Sequence, residues 1–487
     1  MHEETQHTSL KRRLTGAQIS MIALSGALGT GLFLGSGSTI AFAGPATVIS
    51  YALAGVIALS VVWALAEMVS VYPVPGGHGA IAAVFLGKMG GYVTRWNFVV
   101  TYLFAVGAEV VATATYLQHW FVNLPLAVGT VLCSAFIITL NLATVRLYGI
   151  SEYWFSMVKV IAIAVFILLG FSVILWGWPA DHGSLGLTNF TSHGGFMPKG
   201  VTGILLATCM AVFSFGGIEN VSLAAAESQH PQRDIPRAAG TMIWRLLIFY
   251  VFAVSIVIGL QPWTQTVKDA GNAEASPFVK VLDDIGIAGA GHVMNGILII
   301  AALSAANGCL YAASRAIHSL ALDGMAPKFA SRTSHQGSPH GAVALATVCF
   351  VTASALAIWS PNNAFMVLYG CATVGILLTW ILVMLTHMRF RAKEKAQNSP
   401  RPPAYLWGAP VVNIAVIIAT VAIFCGLRGL MPVSWTAGIP YMILLFGSFP
   451  ILNKVRSLPY PSSVAEILRL EKLRSQTDRT AEKEKSK

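Results

Sequence analysis

Long apolar runs separated by short polar joints dominate this chain. A bilayer core of about 30 Å needs about 20 such residues in a helix. Runs of that kind lie at residues 17–41, 45–72, 96–119, 124–145, 153–177, 201–225, 239–261, 287–320, 341–360, 364–388, 405–427 and 434–453. Twelve membrane helices are therefore expected. The eighth run is long and ends in Arg315 and His318, so its last turns are predicted to emerge into water. Gly44-Pro45 and Pro73-Val74-Pro75-Gly76-Gly77 mark the joints on either side of the second run, as helix-breaking residues do. The polar remainder is small: a tail over residues 1–16 and another over 454–487. From Leu468 to Lys487 that second tail mixes both signs and reads as a short helix or a disordered end. No short apolar core with a small-residue cleavage site opens the chain, so no signal peptide is expected.

Two runs depart from smooth helix. The first contains Gly26-Ala27-Leu28-Gly29-Thr30-Gly31-Leu32-Phe33, the second Phe213-Ser214-Phe215-Gly216-Gly217-Ile218-Glu219-Asn220. A break in lipid frees backbone N–H and C=O groups, and each costs several kcal/mol if unpaired. Breaks near the starts of two corresponding halves point to a midplane binding site. The competing reading is close helix packing through small residues.

Composition narrows the class. Of 487 residues, 55% are hydrophobic and only 10% charged, against about 25% charged in a soluble chain, and mean hydropathy is +0.68. The net charge of +11 is a topology signal. Twelve spans put both termini on one side, and 26 of the 31 Lys and Arg residues fall there. Four (Lys199, Lys268, Lys280, Arg428) fall opposite and Lys159 lies within a span. The positive-inside rule places both termini in the cytoplasm, and no nucleic-acid partner is expected. The six cysteines are widely spaced within or beside apolar runs, without a CxxC pair. They predict helix packing, with neither a metal site nor a disulfide framework.

Spans 1–5 compare with spans 6–10. An odd number of spans per half gives the halves opposite orientations, an inverted repeat, with spans 11 and 12 added. The expected organisation is a tail over 1–16, a first repeat over 17–177, a second over 201–388, two further spans over 405–453 and a tail over 454–487.

The breaks carry the candidate chemistry. Gly26, Gly29 and Gly31 let the chain leave helical geometry at little steric cost. The N–H groups opening the next half-helix favour an anion, a carboxylate above all, and Thr30 adds a hydroxyl. At the second break the carbonyls of Phe213, Ser214 and Gly216 suit an ammonium group. Together the breaks suit a zwitterion. Phe213 and Phe215 flank the second break as aromatic covers or as ordinary packing. Five ionisable residues lie inside spans, where a charge costs about 2.5–3.5 kcal/mol or more: Glu67, Glu109, Glu152, Lys159 and Glu219. Glu219 either links protonation to helix movement or bonds freed backbone. Glu109, mid-span, is a candidate pore-lining group. Glu67 and Glu152 lie near cytoplasmic ends, where a structural partner is expected. Lys159 either sets a fixed charge between the first broken helix and span 8, exchanging protons, or forms a structural salt bridge.

Several runs resemble the bacterial amino acid permeases of the amino acid–polyamine–organocation superfamily, in its amino acid transporter branch. They are Gly29-Thr30-Gly31-Leu32-Phe33, Phe213 to Glu219, Glu227 with Pro231 and Ile235-Pro236-Arg237, and Trp154-Phe155-Ser156 with Lys159. Glu67-Met68, Ser304 to Arg315 and Gly324-Met325-Ala326-Pro327 extend the match from about Leu14 to Arg391. The resemblance implies a LeuT-like fold with helices 1 and 6 broken, and secondary active uptake. It implies that Thr30 and Gly31 bind the substrate carboxylate, with the Ala27, Phe213 and Gly216 carbonyls around the amine. It also implies Phe213 as an aromatic gate, Lys159 in proton coupling and Glu219 in gating. Asn220, Pro75-Gly76-Gly77-His78-Gly79 and Asn307-Gly308-Cys309 depart from the family's pattern.

The expected function is proton-coupled amino acid import by alternating access. Ala27, Gly29, Thr30, Gly31, Phe213, Ser214, Phe215, Gly216 and Glu109 are the candidate substrate-binding residues. Lys159, Glu219 and Phe213 are the candidates for coupling and gating. The expected partners are an amino acid, a proton and the lipid bilayer of the bacterial inner membrane. The driving force is a proton gradient with no cofactor, and the chain is expected to act as a monomer. The substrate leans neutral or aromatic, proline or histidine. The rivals are an exchanger, a cationic amino acid permease and a non-transporting amino acid sensor. Neither HExxH, GxSxG in a suitable context nor a nucleotide loop is present to support an enzyme.

Overall fold

The computed structural model describes residues 28–142, 145–178, 185–225, 228–270, 276–284, 289–334, 338–397 and 399–485. Gly26, Ala27, the tail over 1–16, the start of the first span and Glu227 lie outside the described residues. Among the described residues the fold is all helix: α1 Thr30–Phe33, α2 Gly35–Ala43, α3 Thr47–Val71, α4 Gly77–Phe85, α5 Gly87–Gln118, α6 Leu126–Leu142, α7 Val145–Trp176, α8 Thr188–Thr191, α9 Gly200–Ala211, α10 Asn220–Ala224, α11 Pro231–Leu260, α12 Trp263–Ala270, α13 Pro277–Asp284, α14 Ala290–Leu322, α15 His340–Ala346, α16 Val348–Trp359, α17 Ala364–Ala396, α18 Val411–Leu430, α19 Pro432–Arg456 and α20 Ser462–Lys485. Ten helical segments among them are long and apolar enough to cross a membrane, and α6 is a shorter apolar helix. One of the ten, Gly35–Val71, is α2 and α3 joined by a 3₁₀ turn over Gly44–Ala46.

Helix bounds differ from the hydropathy bounds where charged residues continue a helix past the apolar run. The third run, expected from 96, begins with α5 at Gly87 and takes in Lys88 and Arg95. The tenth, expected to end at 388, continues to Ala396. Hydropathy registers the bilayer, while helix propensity carries the chain beyond it. The mixed-charge tail is helical as part of α20, whose first turns bury Val464 and Ile467.

α5 lies at the centre, packed along α14 and α17, while α3 packs along α11. α18 and α19 are peripheral, with 28% and 11% of their apolar windows buried. Apolar side chains such as Ile418, Val421, Ile443 and Leu444 point outward. Lipid is as apolar as these side chains, so helix association depends on packing and interhelical hydrogen bonds. Asn97 supplies one such node: its Nδ2 donates to Gly375 O and Thr379 Oγ1, both at 2.8 Å. Its Oδ1 accepts from the Tyr441 hydroxyl at 2.8 Å, tying α5, α17 and α19.

A second set of polar ties closes one end of the bundle. Glu67, fully buried on α3, meets Arg391 Nε at 2.5 Å and His387 Nε2 at 3.1 Å on α17. It also accepts the Leu406 N–H at 2.7 Å. Arg95 pairs with Asp323 at 2.8 Å, and Asp323 accepts the Ser462 N–H that opens α20. Lys393 pairs with Glu471 at 2.6 Å, which also accepts the Tyr72 hydroxyl at 3.1 Å. The structural partner expected for Glu67 is the Arg391 guanidinium on α17, with the His387 ring beside it.

The Pro73–Gly77 joint turns the chain into α4, with Gly76 and Gly77 at φ 85° and 49°. A Cβ on Gly77 would stand 2.7 Å from Ser222 O, so only glycine fits. This brings His78 against the second broken helix, its Nδ1 2.7 Å from Ser222 Oγ. The ring also sits edge-on to Phe98 at 5.6 Å, and Phe98 stacks on Tyr102 at 4.2 Å. The departure of the loop from its family pattern is a direct contact between loop and break. Burial pushes the His78 imidazole down to about 4.

Two outcomes follow from these contacts. Glu67→Ala leaves the Arg391 guanidinium without its buried carboxylate, and His387 and the Leu406 N–H without their partner. It is expected to destabilise the protein by on the order of 3 kcal/mol, read as a lowered Tm in detergent. For His78 the native imidazole is harder to protonate than the unfolded one, so its stabilising contribution is present above the unfolded value near 6.5. It is lost as pH falls toward 4, on the order of 2 kcal/mol by pH 5. Thermal scans between pH 7.5 and 5 are expected to show this slope, and His78→Asn to flatten it.

Candidate functional site

The two breaks face each other across the middle of the bundle. After Gly29, which is extended at φ −126° and ψ −161° and lends no side-chain cap, α1 starts at Thr30. Leu34 keeps right-handed helical geometry, so the rod runs on into α2. At the second break α9 tightens into a 3₁₀ turn over Val212–Phe215. Gly217 then takes φ 96°, a conformation that suits glycine alone, before α10 resumes at Asn220. The breaks touch: a Cβ on Gly31 would stand 2.8 Å from Ser214 Cα and 2.9 Å from Phe213 Cδ1.

Side chains satisfy the backbone groups that the breaks release. The Thr30 N–H donates to both Glu109 oxygens, at 3.1 and 3.3 Å. Lys159 Nζ donates to Leu28 O at 3.2 Å. The Tyr250 hydroxyl donates to Ser214 O and the Tyr369 hydroxyl to Met210 O, both at 2.6 Å. Ser276 Oγ donates to Phe33 O at 2.7 Å, and Phe213 O accepts the Gly216 N–H at 2.8 Å.

A cavity of about 30 Å³ lies between the breaks, room for one or two waters. Gly29, Gly31, Glu109, Phe213, Ser214, Gly216 and Glu219 line it, all of them expected site residues. Thr30 is not on its wall: its N–H is held by Glu109, which is, and its Oγ1 is buried with no hydrogen-bond partner. Phe213 lies against Tyr369, ring centroids 4.0 Å apart. Phe215, expected as an aromatic cover or as ordinary packing, is fully buried away from the cavity wall, edge-on to Tyr250 at 5.0 Å. Two residues apart in a tight turn, the two phenylalanines point to opposite sides, and only Phe213 meets the cavity. Of the carbonyls expected to be open, Ser214 O already accepts the Tyr250 hydroxyl and Phe213 O the Gly216 amide.

Lys159, fully buried on α7, sits behind the first break and not in the cavity. Glu152 lies two turns before it on the same face of α7. Glu152 accepts Ser304 Oγ at 2.8 Å and Asn307 Nδ2 at 3.2 Å, joining α7 to α14. Asn307 also accepts Asn141 Nδ2 at 2.9 Å, so the altered stretch on α14 belongs to this network. Glu219 is fully buried, and no donor reaches its oxygens with hydrogen-bond geometry. Its neighbour Tyr102 spends its one hydroxyl proton on Asn220 Oδ1 at 2.8 Å.

Sequence reasoning missed Thr101, Tyr102, Ala105, Cys309 and Ile376 on the cavity wall, and Tyr250 and Tyr369 behind it. A signal existed for the tyrosines, because a hydroxyl inside an apolar span needs a buried partner. Cys309, expected in packing alone, lines the cavity as well.

Comparison with known proteins agrees with this geometry. Residues 18–452 match the family model described as amino acid permease. The chain is 35% identical over 413 residues to the aromatic amino acid transport protein AroP of Escherichia coli K12, covering 84% of this chain and 88% of that protein. It is 34% identical over 450 residues to the protein of the same name from Salmonella typhimurium SL1344, covering 92% and 96%. To the gamma-aminobutyric acid permease of Bacillus subtilis 168 it is 33% identical over 420 residues, covering 86% and 87%. A match of that length, over a bundle whose two breaks meet at one cavity, makes this multi-pass membrane protein a member of the amino acid permease family.

Proposed function

We propose that this permease imports neutral or aromatic amino acids by alternating access, driven by the proton gradient, with the two breaks holding the part common to all amino acids. The observation that carries the reading is the juxtaposition of the breaks across one cavity. Gly29, Gly31 and Glu109, which holds the Thr30 N–H, lie on one side, and the turn from Phe213 to Gly216 lies on the other. The donors suit a carboxylate, and the carbonyl ends of the second break suit an ammonium group.

The arrangement of helices supports a LeuT-like inverted repeat, over 17–177 and 201–388, within twelve spans. Three elements of the first half pack on their counterparts: α2 on α9, α3 on α11, and α5 on α14. Dividing Gly35–Val71 at its 3₁₀ turn and counting α6 raises the ten apolar segments to twelve. The distribution of Lys and Arg orients both termini, and the polar ties of Glu67, Arg95 and Lys393, toward the cytoplasm of a bacterial inner membrane.

For coupling, the Lys159 amine, bonded to Leu28 O, is the candidate proton carrier beside the first break. Glu219 lines the cavity with its hydrogen-bonding capacity unspent. The driving ion is then a proton, without a cofactor. Tyr102, Phe213 and Ile376 on the cavity wall favour an apolar or aromatic side chain, in keeping with the aromatic amino acids named for its relatives. A cavity this small must widen to admit such a guest, which suits a site that opens to one side at a time.

Purified protein in liposomes is expected to accumulate labelled L-phenylalanine when the interior is alkaline, and to lose that accumulation with an uncoupler. Uptake that ignores the pH gradient but requires internal amino acid would identify an exchanger instead. Lys159→Ala is expected to abolish accumulation while leaving counterflow measurable, and accumulation at the wild-type level would remove Lys159 from coupling. Gly31→Ala forces a methyl group against Ser214 and Phe213, an overpacking of about 1–3 kcal/mol. Initial uptake is expected to fall at least about tenfold with the size-exclusion profile unchanged.

A further inference from the structure

The seat assigned to the substrate carboxylate is taken by a carboxylate of the protein itself. Glu109 reaches from α5 to the first break, 79 positions away in sequence, and both its oxygens lie within hydrogen-bond distance of the Thr30 N–H. It lies so close over Gly29 that a Cβ there would overlap Oε1. No side chain of the break caps this helix start, and Thr30 Oγ1 beside it is buried without a partner. Glu109 is itself buried at 4% exposure and lines the cavity. We propose that Glu109 is an internal stand-in for the substrate's carboxylate, which holds the break when no substrate is bound and which the incoming amino acid must displace.

The inference rests on the proposed function and deepens it, because it makes Glu109 a competitor at the anion seat and not a ligand of the bound amino acid. The Thr30 N–H offers one proton and Glu109 already holds it with both oxygens, so a second carboxyl group cannot occupy the same seat at the same time. Substrate binding therefore moves Glu109 off Thr30. The displaced side chain stays tethered to α5, which packs along α14 and α17. Occupation of the seat is thereby transmitted to the central helix. A plain structural cap predicts something else: its removal would loosen the break and weaken binding of every ligand.

The test uses the full-length protein in nanodiscs at fixed pH, with L-phenylalanine and phenethylamine, its analogue lacking the carboxylate, as probes. Glu109→Gln keeps the shape and a neutral acceptor but removes the charge-assisted hydrogen bond. The Kd for L-phenylalanine is expected to fall about three- to tenfold, while phenethylamine binding does not tighten. Weaker L-phenylalanine binding by Glu109→Gln would overturn the proposal and make Glu109 a direct substrate ligand. Wild-type protein supplies a second measurement that no folding defect can confuse. Infrared difference spectra with carboxylate-labelled ¹³C-phenylalanine are expected to show a shifted protein carboxylate band, and phenethylamine to leave that band in place. An unshifted band on phenylalanine binding would also overturn it. If phenylalanine fails to bind wild-type protein, the same measurements use whichever of the twenty amino acids does bind. Binding of none would overturn the transport reading itself, and this inference with it.

Discussion

Lipid offers no hydrogen bonds, and this single constraint organises the molecule. A smooth helix meets it internally, but each break releases N–H and C=O groups that other parts of the chain must satisfy. The partners come from helices distant in sequence: Glu109 from α5, Lys159 from α7, Tyr250 from α11 and Tyr369 from α17. Each bond that satisfies a break also ties it to a helix of the surrounding bundle. The breaks are therefore weak points in secondary structure and junctions in tertiary structure at once. A change in the partner of one freed group is felt by the helix that supplied it.

The same reasoning explains where polar groups lie outside the cavity. Apolar side chains facing lipid contribute little to helix association, so specificity falls to buried polar nodes. Asn97 joins three helices near the bundle's middle. Glu67, Arg95 and Lys393 close one end, and the last of these nodes includes the C-terminal helix through Glu471. Breaking a buried ion pair exposes an uncompensated charge, so this end resists partial opening. The His78 loop sits between this closed end and the second break, in contact with Ser222.

The breaks were legible in the sequence because glycine has few uses inside an apolar run. Their positions, and the meeting of Gly29, Gly31, Phe213, Ser214 and Gly216 around one cavity, follow from that signal. Lys159 and Glu109 were conspicuous because charge inside a span is rare. What escaped was whatever depends on direction and not on residue type. Phe213 and Phe215 look equivalent in sequence, yet a tight turn sends one to the cavity and the other to Tyr250. Tyr102, Tyr250 and Tyr369 fit an apolar span by composition, and only the fold shows which carbonyl or amide each hydroxyl meets. The helix ends were misjudged for a related reason. Hydropathy falls at Lys88 and Arg389, but helical geometry does not.

The charges around the first break form a linked set. Lys159 holds the carbonyl before the break and Glu109 the amide after it, so a basic and an acidic side chain face the two sides of the same gap. On the proposed reading, an amino acid brings both charges in one small molecule, and its arrival would change the partner of the amide. A lone carboxylic acid would come to lie beside two acidic side chains, Glu109 and Glu219, and a lone amine would leave the amide seat to Glu109. The proposed preference for a zwitterion thus draws on both ends of the guest as well as on the geometry of the two breaks. On the same reading, the wall of Tyr102, Phe213 and Ile376 would then sort among amino acids that have already satisfied this first requirement.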